Sequence, residues 1–391
     1  MHSVKYFLYS MQLSWYSAKV RPYLRYRRLP FDERTPTLRQ YRSEIRRRVG
    51  HAVVPVVVTP EGEWLQDSSI IIERLDERFP DDPVLPTTPR QRIASYLLEL
   101  WADEFWLPAG VHARWSYPQN YPKWRNELAT AFAPGWPPPL NRLFPLSLKW
   151  FMQRANLQVG ATAEQRPLIG RWMDRQLDAL ERHFAVHPWV LGRRPSLADF
   201  ALAGPLCGHL RYDLASSERW MRPRPNLYDW SERMWSGVPV ASGTWVADDE
   251  VPATLLPLLT TALREMTPYL DATGSLVRAM SNGPGGHLPR VIGPVTAPFG
   301  DGTITRLGVP YTLWMAQRVR DSLDSMPPPA AAAARAWVWS IGGQGFLDLR
   351  LPRLGRVSVH AALEQPGRLA AAHLDSSGIA HSPSPPIGRG A

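Results

Sequence analysis

Apolar residues in the first eighty positions recur with two different periods. Residues 4–9 form a short apolar and aromatic run of strand type, whereas residues 17–28 place Val20, Leu24 and Arg28 on one helical face. Residues 31–35 read as a second strand, 37–49 as a second helix and 53–58 as a buried strand. After a turn at 60–62, residues 63–65 read as another strand and 68–79 as a third helix. This order predicts an α/β domain with a mixed sheet. Such folds place ligands at strand ends that face helix N-termini.

Beyond a proline-rich linker at 80–89 the period becomes helical throughout. Ile93, Leu97, Leu100 and Trp101 share one face of a helix over 91–106, and Trp172, Met173, Leu177, Leu180 and Phe184 share one over 168–184. Ser196 stands three residues before Asp199 and opens the apolar run 200–206, a capping box with Asp in place of Glu. Losing Asp199 should therefore cost about 1 kcal/mol or more of stability. Prolines and tryptophans between 117 and 148 predict an irregular loop over the helices.

A third pattern starts near Asp248. Residues 254–280 and 311–323 read as helices, and the Gly- and Pro-rich stretch between them suggests a hairpin around Gly300 and Gly302. Leu255, Leu259, Leu263 and Met266, then Trp314, Met315 and Val319, form apolar faces that need a partner. Residues 248–375 are therefore expected to be an extension packed on the core. Residues 376–391, with Ser382-Pro383-Ser384-Pro385-Pro386 and no apolar payload, are expected to be a disordered tail.

The chain has 391 residues, 44% hydrophobic and 20% charged, which are ordinary globular values. Its one cysteine, Cys207, excludes an internal disulfide and a multi-cysteine zinc site and fits a reducing, cytoplasmic setting. Pro252 and Pro257 interrupt the apolar stretch at 251–263, so no membrane span is expected. The N-terminal apolar run lacks a small-x-small cleavage site before the arginines begin and reads as a strand, not a signal peptide. The formal net charge of +10 is concentrated in residues 1–50, which hold twelve Lys or Arg against Asp32, Glu33 and Glu44. Arg39, Arg42, Arg46, Arg47 and Arg48 share the second helix, so nucleic-acid binding has to be weighed. No base-reading motif accompanies them, and a solvated basic face that steers a small anionic ligand is the reading taken.

Three features suggest one ligand site. Pro55 within an apolar run cannot donate a ladder hydrogen bond, which argues for an edge, a bulge or a cis bond, and a cis bond would turn the Val54 backbone outward to pair with an extended peptide. Asp67-Ser68 at a helix start offers N–H groups and a hydroxyl to a carboxylate. Ser14, between the first strand and first helix, offers a hydroxyl to a thiolate.

Four stretches carry a family resemblance: 14-SWYSAKVR-21, 54-VPVVV-58, 66-QDSSIIIERLD-76 and 191-LGRRPSLADF-200. In this order the chain resembles the glutathione transferase superfamily over about residues 3–240. The resemblance implies a thioredoxin-like α/β domain (1–82) followed by an all-α domain (90–247), with glutathione held as an extended co-substrate. It further implies that Val54 pairs with the cysteinyl backbone, that Pro55 is cis, and that Asp67 with Ser68 holds the γ-glutamyl end. Ser14 matches the catalytic position of the serine-type classes, where it would favour thiolate over thiol. Asp67 is one methylene shorter than the usual Glu or Gln, and Trp15-Tyr16 replaces smaller residues or proline. Tyr9, near the end of the first strand, is a rival sulfur partner.

Each of these residues also has a plain structural reading. Ser14 satisfying a loop, Ser68 serving as an N-cap and Pro55 shaping the chain without a ligand all remain open. His183 and His187 are spaced like metal ligands, but a helix C-terminal role is preferred and no metal is expected. Trp101, Phe105, Trp106, Trp115 and Tyr117 would suit either a pocket for an electrophile or the core. Cys207 reads as a core residue. The expectation is thus an enzyme that adds the glutathione thiolate to a small hydrophobic electrophile. The alternative is a non-catalytic binding or scaffold protein of the same fold. A homodimer is implied by the resemblance, with no nucleic-acid or membrane partner.

Overall fold

Strand β1 (Tyr6–Tyr9) carries the N-terminal sheet. It runs parallel to β2 (Phe31–Arg34) and antiparallel to β3 (Val56–Val58), which pairs antiparallel with β4 (Trp64–Gln66), giving the order β2-β1-β3-β4. The computed structural model describes residues 5–132, 136, 137, 140, 156–237, 243–283 and 286–364. Alternation along the strands sorts their side chains to two faces. Leu8, Val57 and Leu65 meet helices α1 (Trp15–Tyr26) and α3 (Ser68–Asp76) through Val20, Leu24, Ile71 and Leu75. Tyr9 and Val56 face the other way, toward Tyr41 and Ile45 of helix α2. Helix α2 runs from Leu38 through a π turn at Tyr41–Ile45 to Val49, and Thr37 and Gln40 form a capping box at its start. The strand expected at 53–58 shortens to 56–58 because Pro55 has no N–H to donate to the ladder.

The helical domain consists of α4 (Pro89–Leu100), α5 (Leu107–Trp115), α6 (Tyr121–Phe132), α7 (Arg166–Phe184), α8 (Leu197–Pro205) and α9 (Pro225–Ser236). The helix expected over 91–106 is interrupted by a π turn at Trp101–Phe105, and α5 begins anew with Pro108 in its first turn. The loop expected over 117–148 is in fact helical at 118–132, because Pro118 and Pro122 sit at helix starts, where a missing N–H costs nothing. Trp124 packs on Trp115 at 4.7 Å between centroids. Residues 133–135, 138, 139 and 141–148 of that stretch lie outside the described residues.

The unusual Trp15 has a physical explanation. Its buried ring lies against Gly110 of α5 and Gly204 of α8, where an added Cβ would come within 2.1 and 2.7 Å of ring atoms. Two glycines thus make room for an indole that locks α1 into the helical domain. Asp199 anchors the same region. Its carboxylate accepts from Ser196 N–H (2.8 Å), Val190 N–H (2.9 Å) and Trp230 Nε1–H (3.0 Å).

Beyond residue 248 come α10 (Leu256–Arg278), a hairpin of β5 (Pro294–Phe299) and β6 (Gly302–Leu307), α11 (Pro310–Asp324), α12 (Pro328–Ser340) and a hairpin of β7 (Leu354–Val357) and β8 (His360–Leu363). Phe299 stacks on Trp172 of α7 at 4.6 Å, and Glu265 of α10 accepts the Trp172 indole N–H at 3.0 Å. The sequence reading had no place for α12 or the β7–β8 hairpin. The tail at 376–391 lies outside the described residues.

Lys19 of α1 joins these parts. Its fully buried ammonium donates to Glu99 (2.7 Å) and Asp103 (2.6 Å) of the α4 segment and to Ser69 of α3 (2.9 Å), and Arg318 of α11 donates to the second oxygen of Glu99 at 2.7 Å. Burial alone would raise the Glu99 carboxyl, but Arg318 and Lys19 more than offset it and hold it at about 2. Burial pushes the neighbouring Asp103 carboxyl up, against the pull of Lys19.

Replacing Lys19 by Met should destabilise the protein by about 3–5 kcal/mol in chemical denaturation, because two buried carboxylates lose their shared cation. Asp199→Ala leaves four donors without their carboxylate, the Ser196 and Val190 N–H groups, the Ser196 hydroxyl and the Trp230 indole, and should cost more than about 3 kcal/mol, above the capping value alone; a loss near 1 kcal/mol would show that water replaces the carboxylate.

Candidate functional site

Strand register brings the expected site residues to one edge of the sheet. Tyr9, Val56 and Gln66 form one row across β1, β3 and β4. Ser14, Val54 and Asp67-Ser68 all lie just past that row, on the connections to α1, into β3 and to α3. The Val54–Pro55 peptide bond is cis. Among the described residues, the N–H and C=O of Val54 pair with no other group, although both neighbouring strands are fully laddered. An extended peptide backbone is the partner such a pair of groups suits.

Asp67 is the N-cap of α3, at φ 81°, with Oδ1 accepting from Ser69 N–H (3.0 Å) and Ile70 N–H (3.3 Å). Ser68 is therefore the first helical residue and not the cap. Its hydroxyl and N–H have no acceptor among the described residues. Ser14 is the N-cap of α1, its Oγ accepting from Ser17 N–H at 3.2 Å. That bond uses a lone pair, so the hydroxyl hydrogen is left for an outside acceptor such as a thiolate.

The rival Tyr9 is differently placed. It stacks on Trp64 at 5.7 Å and donates its hydroxyl to Glu44 of α2 at 3.0 Å. Burial and this acidic partner push its phenol up. The hydroxyl of Tyr16 donates to the Asp103 carbonyl at 3.4 Å, its phenol driven up by burial and by Glu104 and Asp103. Glu104, bonded to Thr312 of α11 at 2.8 Å, is pushed up to about 7 by burial.

Groups from the extension reach this edge, and nothing in the sequence pointed to them. Tyr311 of α11 donates its hydroxyl to Asp67 Oδ2. Arg356 of the β7–β8 hairpin donates to Gln66 at 2.9 Å, and its guanidinium lies 3.9 Å from Asp67 Oδ2. Ser358 at the hairpin turn donates to the Val49 carbonyl, and His360 meets His51 with their Nε2 atoms 2.9 Å apart. More than two hundred residues of sequence separate each of these pairs, beyond the reach of any local periodicity.

The remaining candidates have structural places. Both ring nitrogens of His183 are engaged, by Thr254 at 2.7 Å and the Trp189 carbonyl at 3.3 Å. No group of three or more His, Cys, Asp or Glu among the described residues is arranged to hold a metal. Trp101 and Trp106 are wholly buried against each other and Trp172, and Phe105 packs edge-on against Tyr269, so these three belong to the core. Burial pushes the Cys207 thiol up to about 12, which leaves it a core residue without nucleophilic character. No helix among the described residues is long and apolar enough to cross a membrane.

Comparison with known proteins gives the same two units. Residues 8–83 match the glutathione S-transferase N-terminal domain, and residues 170–236 match the glutathione S-transferase C-terminal domain. Among solved structures, the chain is similar to a glutathione S-transferase from Methylobacterium radiotolerans in complex with glutathione sulfonate. The identity is 22% and the TM-score 0.39, over 62% of this chain and 98% of that one. A glutathione S-transferase from Rhodospirillum rubrum is 20% identical with a TM-score of 0.40, over 63% and 96% of the two chains. One from Methylobacillus flagellatus with glutathione bound is 19% identical with a TM-score of 0.36, over 60% and 100%. With an N-terminal domain and a C-terminal domain matched in order, and with the mixed four-stranded sheet and helical domain in place, the chain belongs to the glutathione S-transferase superfamily.

Proposed function

We propose that the protein binds glutathione along the sheet edge and presents its thiolate, beside Ser14, to a small hydrophobic electrophile. The observation that carries this reading is the unpaired backbone of Val54 between Ser14 and the free donors of Ser68. Val54 would form two backbone hydrogen bonds with the cysteinyl residue, and Ser68 would receive the γ-glutamyl carboxylate through its N–H and hydroxyl. Ser14 would donate to the sulfur, lowering the thiol pKa and raising the fraction of nucleophile at neutral pH. The positive end of α1 adds to that effect.

A second reading, a protein of this fold that binds without turnover, is favoured by the state of Asp67. Both of its oxygens already have partners within the chain, Oδ1 in the helix cap and Oδ2 on Tyr311. A ligand ammonium would have to share Oδ2 with the tyrosine or displace it. Steady-state assays with glutathione and a panel of electrophiles separate the two readings, since clear conjugation contradicts the second.

Ser14→Ala should cut conjugation by roughly tenfold to a thousandfold, about 1.4 to 4 kcal/mol, while leaving glutathione affinity nearly intact. Ser68→Ala should weaken glutathione binding by about 1.5–3 kcal/mol in isothermal titration. Tyr9→Phe should change neither by much, because its hydroxyl is committed to Glu44; a large loss there with full activity in Ser14→Ala would make Tyr9 the sulfur partner.

A further inference from the structure

The β7–β8 hairpin is held in two different ways at its two ends. At its base, the Gln317 side chain bonds both the N–H and the C=O of Leu354 at 2.9 Å, and Asn282 does the same for Leu363 at 2.8 and 3.0 Å. The Leu288 N–H donates to Ala361 O at 2.8 Å. These contacts fix the base to the extension. At its tip, the hydrogen-bond partners outside the hairpin come from the N-terminal domain, from both sides of the Val54 segment in sequence, while the rings of Trp314 and His287 in the extension lie against Arg356 and His360. Ser358 and His360 bind the Val49–His51 end, and Arg356 binds Gln66 beside Asp67. Val54 lies in sequence between those two sets of contacts, two residues before the row that pairs Val56 with Tyr9 and Gln66. The tip contacts are polar and only partly buried, the kind that open locally at low cost while a packed base stays in place.

We propose that the β7–β8 hairpin is a strap across the ligand groove, and that protonation of the His51–His360 contact releases it. The inference rests on the reading of that groove as the glutathione site. With Nε2 atoms 2.9 Å apart, one imidazole donates and the other accepts, which requires the acceptor to be neutral. Protonating both turns each nitrogen into a donor facing a donor. The surroundings add to the repulsion. His287 stacks on His360 at 4.1 Å, and Arg290 and Arg46 lie close enough to oppose positive charge on His51, with Arg290 also opposing it on His360. Burial, followed by these cations, holds both imidazoles below their ordinary value. A base whose pKa is lowered in the closed state stabilises that state fully above its free pKa of about 6.5 and progressively less as pH falls below that value toward the lowered one. The strap is therefore closed at neutral pH and released in mild acid.

A closed strap reduces apparent affinity by the fraction of molecules that are open, so release should appear directly as tighter binding. Between pH 7.5 and 5.5 the carboxyls of glutathione keep their charge; its thiol, whose pKa Ser14 would lower in the complex, does not stay silent there, so the same titrations with S-methylglutathione, which has no thiol proton, are the control. Asp103 and Glu104 are also pushed up by burial, so the control must leave them in place. The test uses the full chain as wild type, as His51→Gln/His360→Gln, and as Arg356→Ala/Ser358→Ala. Hydrogen–deuterium exchange over residues 354–363, corrected for intrinsic rate, reports the strap without any ligand, and titration calorimetry with glutathione reports the groove.

In the wild type, exchange at the hairpin should rise about tenfold or more from pH 7.5 to 5.5, with glutathione affinity rising in parallel. The histidine double variant should show no such pH dependence. Arg356→Ala/Ser358→Ala should expose the hairpin and bind glutathione about tenfold more tightly than wild type at pH 7.5. Wild-type exchange that is unchanged with pH, or equally pH-dependent in the histidine variant, overturns the proton switch. Wild-type binding as tight as that of the Arg356 and Ser358 variant, with the hairpin still protected, overturns the strap. A hairpin that opens without glutathione binding to any variant overturns instead the reading of the groove, and the strap's regulatory role with it.

Discussion

A single buried ammonium holds this molecule in register. Lys19 reaches from the first helix of the thioredoxin-like sheet domain into the helical domain, where Glu99 and Asp103 receive it, and Glu99 then receives Arg318 from the extension. Burying these charges has a large desolvation cost, which is returned only if every partner stays in place. The three parts of the chain are consequently fixed relative to one another by a requirement of neutralisation as well as by apolar packing. Trp15, seated on Gly110 and Gly204 one turn before Lys19, makes the same junction sterically specific.

That junction determines what reaches the sheet edge at Asp67. Because α11 is fixed to α4 through Arg318 and through Thr312 on Glu104, Tyr311 at its start is delivered to Asp67. Asp67 then performs two tasks, capping α3 with one oxygen and receiving the extension with the other. The extension thereby occupies that acceptor and sets Arg356 beside it, so the electrostatics at Asp67 depend on residues outside both matched domains.

Much of the fold was legible in the sequence because local rules and tertiary needs agreed. The periodicity at 168–184, the Ser196–Asp199 capping box and the turn at Gly300–Gly302 all appear where the pattern put them. The failures have physical causes. Pro118 and Pro122 sit at helix starts, where a missing N–H costs nothing, so a proline-bearing segment is helical, and Pro55 shortened its strand. Ser14, Val54 and Asp67-Ser68 were visible as local chemistry on loops, and strand register places them along one edge. Tyr311, Arg356, Ser358 and His360 carried no local signal, since an arginine or histidine in a short strand resembles any solvated residue until the partner across the groove is known.

If the β7–β8 hairpin straps the glutathione site, glutathione and the hairpin compete for the sheet edge beside Val54. A crystal structure of the full chain grown with saturating glutathione at pH 5.5 tests it most directly. Glutathione should be found paired to the Val54 backbone, its γ-glutamyl end at Ser68 and its sulfur near Ser14, with residues 354–363 lifted from Val49, His51 and Gln66. Glutathione bound elsewhere, or bound beside Val54 with the hairpin unmoved, would contradict it.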